Sequence, residues 1–266
     1  MGSLGLIAGG GQFPILVAEE AKKKGLRVVA VGIHGITSQD LKSHVDKLCW
    51  VSLASLSKLI HNLKSEGINR AIMAGQVRHV NIFKEIRFDL RALRILRKLS
   101  NKKADSILRA VAEELEKEGI HILDSTTYLS SLIPLPGVIT KRKPTKKEMI
   151  DVEFGFQIAK EIAGLDIGQT VVVKDKAVIA IEAMEGTDEA IKRGGQIGGK
   201  GTVVVKVSKP NQDMRFDVPV IGLRTLQYLK EAGASVMAIE AGKTLFFDQS
   251  AFIGQANTEK IAIISI

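Results

Sequence analysis

Several things are scarce in this chain, and each scarcity removes a class of function. There is one cysteine among 266 residues, Cys49. It cannot close an internal disulfide, form a CxxC pair or build a cysteine-based zinc site, and Leu48-Cys49-Trp50-Val51 reads as a strand that buries it. Aromatic residues make up only 5%, and no run interleaves rings with basic residues, so stacking platforms for nucleic acid are not expected. No apolar run approaches the roughly 18 residues that cross a bilayer. The start, Gly5-Leu6-Ile7-Ala8, lacks the basic flank and long apolar stretch of a secretory leader. The five histidines are scattered, and no Ser-His-Asp arrangement stands out. The expectation is a soluble cytoplasmic protein, with contact at the inner face of a membrane left open.

What is present is ordinary globular material. Hydrophobic residues account for 45% and charged ones for 25%, which argues against disorder and allows either two domains or one large one. The formal net charge of +9 favours anionic partners such as phosphorylated small molecules or anionic lipid.

Leu4 to Ala8 reads as a buried strand, followed by Gly9-Gly10-Gly11-Gln12-Phe13-Pro14 and a helix from Pro14 to Lys24. Val28–Val31, Lys47–Val51 and Arg70–Ala74 read as further strands. A helix capped by Ser55 or Ser57 ends at Gly67. Strand and helix alternating at this spacing predict βαβ units and a parallel sheet, with ligands at the carboxyl ends of its strands. Gly9, Gly10, Gly11 and Gln12 then share one rim with Gly75 and Gln76. A dinucleotide fingerprint is not completed: Pro14 stands where glycine or alanine is required. Gly32-Ile33-His34 also offers no acid for a ribose hydroxyl. A phosphate cradle at the start of the helix and a purely structural tight turn both remain open.

Phe83 to Leu99 reads as a basic amphipathic helix carrying Arg87, Arg91, Arg94, Arg97 and Lys98. It suits either an anionic membrane surface or a solvated face. A helix from Ala104 or Asp105 to Lys117 and a strand at Ile120–Leu123 close the first domain. Pro134, Pro136 and Pro144 with Lys141-Arg142-Lys143 mark a linker. The division expected is residues 1–133, a linker at 134–147, and a catalytic domain at 148–266.

The second half predicts a helix over Glu148–Ile162 and strands at Thr170–Val173 and Val178–Ala183 joined by a turn at Asp175-Lys176. A helix capped by Thr187 follows, then a mobile glycine hairpin or lid spanning Gly194, Gly195, Gly198 and Gly199. The β run Thr202–Val207 comes next. Leu223–Ala232 reads as a helix, and Val236–Ile239, Thr244–Phe247 and Ile261–Ile266 as strands. The polar stretch Lys209–Gly222, between prolines, displays Gln212, Asp213, Arg215 and Asp217 from a loop. Glu185 and Asp188 add two carboxylates near a helix start. Such a set suits diphosphate chemistry: oxygens need neutralising and a water needs orienting. Magnesium held by Asp217 with Glu185 or Asp188, and phosphates held by Lys209 or Arg215, would supply this.

Four stretches, taken together, resemble one family. They are Gly5-Leu6-Ile7-Ala8-Gly9-Gly10-Gly11, Leu165-Asp166-Ile167-Gly168-Gln169, Glu182-Ala183-Met184-Glu185-Gly186-Thr187-Asp188 and Asp217-Val218-Pro219-Val220-Ile221-Gly222. In order and over essentially the whole chain, they are similar to the LpxI-type UDP-2,3-diacylglucosamine pyrophosphatases of lipid A biosynthesis. The resemblance implies an N-terminal Rossmann-like parallel-sheet domain and a C-terminal mixed-sheet α/β domain. It implies magnesium-dependent hydrolysis of the lipid nucleotide sugar to 2,3-diacylglucosamine 1-phosphate and UMP. The key acid falls on Asp217, with Asp213 and Glu185 as further catalytic candidates. Binding candidates are Gly9, Gly10, Gly11, Gln12, Gly75, Gln76, Gly186, Thr187, Asp188, Lys209, Gln212 and Arg215. The expected partners are the lipid substrate and an anionic membrane surface, not nucleic acid, and a homodimer is left open. Another nucleotide-sugar or dinucleotide-dependent enzyme and a non-catalytic lipid or nucleotide carrier are the competing readings.

Overall fold

The computed structural model describes residues 2–77, 88–99 and 104–266. It divides into two units. One runs from the N-terminus to Leu129 and also takes in Met214–Asp217; the other comprises Ser130–Asp213 and Val218–Ile266.

In the first unit, β1 (Ser3–Ala8), β2 (Arg27–Ile33), β3 (Lys47–Val51), β4 (Arg70–Ala74) and β5 (His121–Ile122) form a parallel sheet. Its order is β3-β2-β1-β4-β5, that of a doubly wound sheet in which the strand order, not the strand direction, reverses between β1 and β4. The strands are apolar on both faces because helices cover both. Ile7, Val29, Val31 and Met73 face α2 (Leu56–Ser65), α3 (Leu90–Lys98) and α4 (Ala104–Lys117), which contribute Leu59, Leu63, Ile95 and Leu115 to one core. The alternate residues Leu6, Val28, Ala30 and Ile72 are buried too, and α1 (Phe13–Lys23) packs along β1 and β2.

Two details in this unit differ from expectation, and a third expectation falls partly outside the described residues. The serine cap of α2 does not form: the Ser55 side chain caps nothing. The Asp89 carboxylate serves instead, accepting from the Ser57 amide at 2.6 Å and from the Ala92 amide in the first turn of α3 at 2.7 Å. Of the basic helix expected over Phe83–Leu99, residues 83–87, Arg87 among them, lie outside the described residues. Cys49 is half-buried rather than enclosed.

The second unit is built on a mixed sheet ordered β6-β13-β11-β9-β7-β8. Its strands are β6 (Gly137–Val138), β7 (Thr170–Lys174), β8 (Ala177–Ile181), β9 (Val203–Lys206), β11 (Val236–Ile239) and β13 (Ala262–Ser265). β9, β11 and β13 run parallel, while β6, β7 and β8 are antiparallel to their neighbours. β10 (Val220–Ile221) and β12 (Leu245–Phe246) form a separate parallel pair. One face packs on α5 (Lys146–Gly164) through Val152 and Ala159. The other packs on α6 (Thr187–Gly198), α7 (Leu223–Glu231) and α8 (Gln249–Thr258) through Ile191, Leu226 and Phe252.

The turn at Asp175-Lys176 puts both residues at positive φ, 52° and 58°, as a two-residue hairpin of this kind requires. The buried Asp151 carboxylate accepts both of their amides, at 2.9 and 2.7 Å. α5 begins at Lys146 because Thr145 and Glu148 form a reciprocal capping box. The stretch read as a linker is woven into this unit. β6 pairs with β13, and Arg142 reaches Glu148 at 2.6 Å and the Ser235 carbonyl at 3.2 Å.

The glycine hairpin or lid is not there. Gly194 and Gly195 lie inside α6. A Cβ on Gly194 would sit 2.6 Å from Val172, and one on Gly195 would sit 2.5–2.6 Å from the Cβ, Cα and carbonyl oxygen of Ala232. These glycines are contact points that let the helix lie close to the sheet and to its neighbour.

Candidate functional site

The glycine rim forms at the carboxyl ends of β1 and β4. Gly9 donates to the Ala74 carbonyl at 2.7 Å, and Gly10 and Gln76 exchange two backbone hydrogen bonds at 2.9 and 3.0 Å. Cβ atoms on Gly9 or Gly75 would collide with the opposite backbone at 2.6–3.0 Å. The structural reading therefore accounts for Gly9, Gly10 and Gly75, whose close approach joins the two loops. Gly11 is different: it has φ +85° and open space where its Cβ would be. It leads into Gln12, the N-cap of α1, whose side chain makes no capping bond, with Pro14 and no acid in the first turn. A helix start of this kind favours an anion.

The segment Met214–Asp217 reaches the same unit from the far part of the chain. The Ser125 amide donates to the Met214 carbonyl at 3.0 Å. The Ser125 hydroxyl lies 2.7 Å from the Arg215 carbonyl and 2.9 Å from the Met73 carbonyl on β4. The Arg215 guanidinium stands over the Phe216 ring, 4.8 Å away, and 3.9 Å from Glu116. Phe216 packs on the core of the first unit. It helps to wall a cavity of about 180 Å³ together with Met73, Ala92, Ile95 and Val111, and with Gly9 and Gly75 of the rim. The lining is almost wholly apolar. Asp217 thus follows a residue fixed in the wall of an apolar chamber that opens by the glycine loops.

In the second unit the expected cluster around α6 takes another form. The N-cap is Gly186 at φ +87°, not Thr187; this explains the glycine, since side chains rarely tolerate that backbone. The Thr187 hydroxyl is engaged elsewhere. It accepts from Lys206 Nζ at 2.7 Å and donates to Glu182 at 3.0 Å. Glu185 pairs with Arg193 at 2.6 Å, and its own backbone amide and that arginine hold its carboxyl below the usual range. Asp188 pairs with Arg224 at 2.7 Å. Burial pushes its carboxyl up, against Arg224 and Lys206. Lys209 reaches Asp166 at 2.8 Å, and its amide donates to the Gln212 side chain at 2.8 Å, shaping the turn before Asp213.

Two groups were missed from sequence. Lys206, buried at the end of β9, aims its ammonium at Thr187. Glu240, buried after β11, gathers the Ser208 amide at 2.7 Å, the Ser208 hydroxyl at 2.8 Å and Lys160 at 3.1 Å. A lysine inside the run Val203-Val204-Val205-Lys206-Val207 was the available signal.

Among the described residues no group of three or more His, Cys, Asp or Glu is arranged to hold a metal. Glu185 and Asp188 are each paired with an arginine. Magnesium does not need such a cage, since it is commonly held by one or two carboxylates together with substrate phosphates. No described helix is long and apolar enough to cross a membrane.

The fold and rim define a two-unit α/β protein with a glycine rim and an apolar chamber in its first unit. Residues 3–132 match the model of the LpxI N-terminal domain and residues 135–264 that of the LpxI C-terminal domain. The chain belongs to the LpxI family. It is 30% identical to the UDP-2,3-diacylglucosamine pyrophosphatase LpxI of Caulobacter vibrioides, over 100% of this chain and 98% of that one. A solved structure, the N5-carboxyaminoimidazole ribonucleotide synthetase from Thermotoga maritima, aligns with 68% of this chain and 42% of its own. Its identity is 20% and its TM-score 0.26, too low to bear on function.

Proposed function

We propose that this protein hydrolyses the diphosphate of UDP-2,3-diacylglucosamine, releasing 2,3-diacylglucosamine 1-phosphate and UMP. The observation that carries the proposal is the joining of an acid-bearing motif to an apolar chamber: Phe216 lies in the chamber wall and Asp217 follows it. A lipid sugar phosphate needs both, a dry slot for hydrocarbon and an acid beside the phosphate. An acyl chain enters between α3 and the sheet, and the diphosphate rests near Gly11 and Gln12 at the start of α1.

Asp217 accepts a hydrogen bond from a water and takes its proton as the oxygen bonds to the sugar-side phosphorus. The bond from that phosphorus to the bridging oxygen breaks, and UMP leaves with the oxygen. Arg215 and the positive end of α1 offset charge on the phosphates. When bound, magnesium neutralises the diphosphate oxygens, with Asp217 as its protein ligand. The substrate lies in a bilayer, and the exposed face of α3, Leu90 with Arg94, Arg97 and Lys98, is the surface we assign to the anionic membrane.

The test is Asp217→Asn assayed for UMP release from the lipid nucleotide sugar. A general base contributes about 10²- to 10⁴-fold, so turnover should fall by at least about a hundredfold while the variant still binds lipid. Unchanged turnover would overturn the assignment. Lipid binding by the unaltered protein without any UMP release would favour a carrier instead.

A further inference from the structure

We propose that Glu240, acting through Ser208, is a positioning residue for the loop that carries Asp213 and Asp217. The inference rests on the diphosphate reading above and deepens it by naming what fixes the start of that loop. The first argument is where Glu240 stands. β9 and β11 pair with Ile239 opposite Lys206, and the Glu240 amide donates to the Lys206 carbonyl at 3.1 Å. The ladder therefore sets Glu240 beside the point at which the chain leaves β9. Ser208 follows Val207 there, wholly buried, and the polar loop begins with the next residue, Lys209.

The second argument is how completely Ser208 is held. Its amide donates to Glu240 Oε2 at 2.7 Å, and its hydroxyl donates to the same oxygen at 2.8 Å. Its carbonyl accepts from Lys160 Nζ at 2.9 Å, and that ammonium lies 3.1 Å from both Glu240 oxygens. One ion pair thus takes every polar group of a single residue, and Lys243 adds a second cation 3.3 Å from Glu240. Burial pushes the Glu240 carboxyl up, but the Ser208 amide and hydroxyl and Lys160 outweigh it and keep the group below its usual range. From Ser208 the chain turns at once. The Gln212 amide donates to the Lys209 carbonyl at 3.1 Å, the Gln212 side chain accepts from the Lys209 amide at 2.8 Å, and the Lys209 ammonium reaches Asp166 at 2.8 Å. Asp213 comes next.

The third argument is energetic. Burying a carboxylate with an ammonium costs solvation, and well-packed apolar residues in their place are often as stable or more so. Stability alone therefore does not call for this pair at the exit from β9. What the pair supplies is direction, because its bonds to the amide, hydroxyl and carbonyl of Ser208 fix the course of the backbone that leads to both acids. An acid that takes a proton from an attacking water must stand within hydrogen-bond reach of it. Misplacement by about 1 Å can cost about a hundredfold in rate.

Glu240→Gln keeps the shape and one acceptor but removes the charge that holds Lys160 against the Ser208 carbonyl. UMP release from the lipid nucleotide sugar is measured on the full chain, well below the variant's melting temperature. There kcat should fall by about ten- to a hundredfold while KM stays within about twofold. The same substitution is then made in Asp217→Asn. If Glu240 acts by placing Asp217, its loss in that background costs less than about twofold, since residues that work as a unit are not additive. Ser208→Ala leaves both charges in place; it should show the same coupling to Asp217, and it serves if Glu240→Gln does not fold. A kcat within about twofold of the parent, or a fall of equal size in both backgrounds, makes the cluster purely structural and overturns the positioning role. Unchanged turnover in Asp217→Asn alone overturns the diphosphate reading instead.

Discussion

Replacing Gly195 by alanine sets two effects of known size against each other. In a helix interior, alanine is favoured over glycine by about 1 kcal/mol. Against this, the new Cβ would sit 2.5 Å from the Ala232 Cβ and 2.6 Å from its Cα and carbonyl oxygen. Two of those three atoms are backbone and cannot swing aside, so α6 and the end of α7 must part. Overpacking of this kind costs about 1–3 kcal/mol, and with backbone in the way the upper end applies. The net is a loss of about 2 kcal/mol, or about 4–8 °C in melting temperature. Gly254 supplies the control. It lies inside α8 with open space where its Cβ would be, so Gly254→Ala should raise the melting temperature by about 2–4 °C. Thermal unfolding followed by circular dichroism compares the two variants. If Gly195→Ala is as stabilising as Gly254→Ala, the glycines are not packing contacts and the mobile-lid view of that stretch returns.

Acid should unfold the protein partly through Glu148. Burial alone pushes this carboxyl up, but the Ser235 side chain, the Thr145 amide and Arg142 outweigh it and hold the group at about 2. Because the folded value lies below the unfolded 4.5, the contribution is complete above about pH 4.5 and is lost as pH falls towards 2. The full difference corresponds to about 3 kcal/mol, and solvent screening reduces it to about 1–2 kcal/mol. Glu148→Gln should lower stability by that amount at pH 7 and flatten the acid limb; an unchanged limb in denaturant titrations at pH 2–5 would refute the assignment. Reversing Arg94 and Arg97 to glutamate should weaken binding to phosphatidylserine vesicles by at least about tenfold, at about 1 kcal/mol per cation lost. Arg91→Glu should destabilise the helix contact instead, because Arg91 is tied to Glu118 at 2.6 Å. Sedimentation that leaves the double variant bound as before would remove α3 from the membrane surface.

Local chemistry was legible in the sequence wherever neighbours in the chain decide the outcome. The strand-helix alternation of the first half, the Asp175-Lys176 turn and the valine run before Lys209 all follow from short-range pattern. So did the rim, since glycines at the ends of β1 and β4 have few other uses. The strand at Gly137-Val138 could not be read locally, because it is strand only through pairing with β13, over a hundred residues away. The lid was misjudged because a glycine's flexibility in the free chain and its smallness in a packed one leave the same letter; Val172 and Ala232 decide which matters. Likewise nothing in Arg215-Phe216-Asp217 announces that Ser125 will clasp it to the first unit. Sequence alone determined where the acids, cations and glycines stand along the chain. Tertiary structure alone decided that Glu185 and Asp188 lie against arginines and that Phe216 walls an apolar chamber, because ion pairing and burial depend on what distant segments bring alongside.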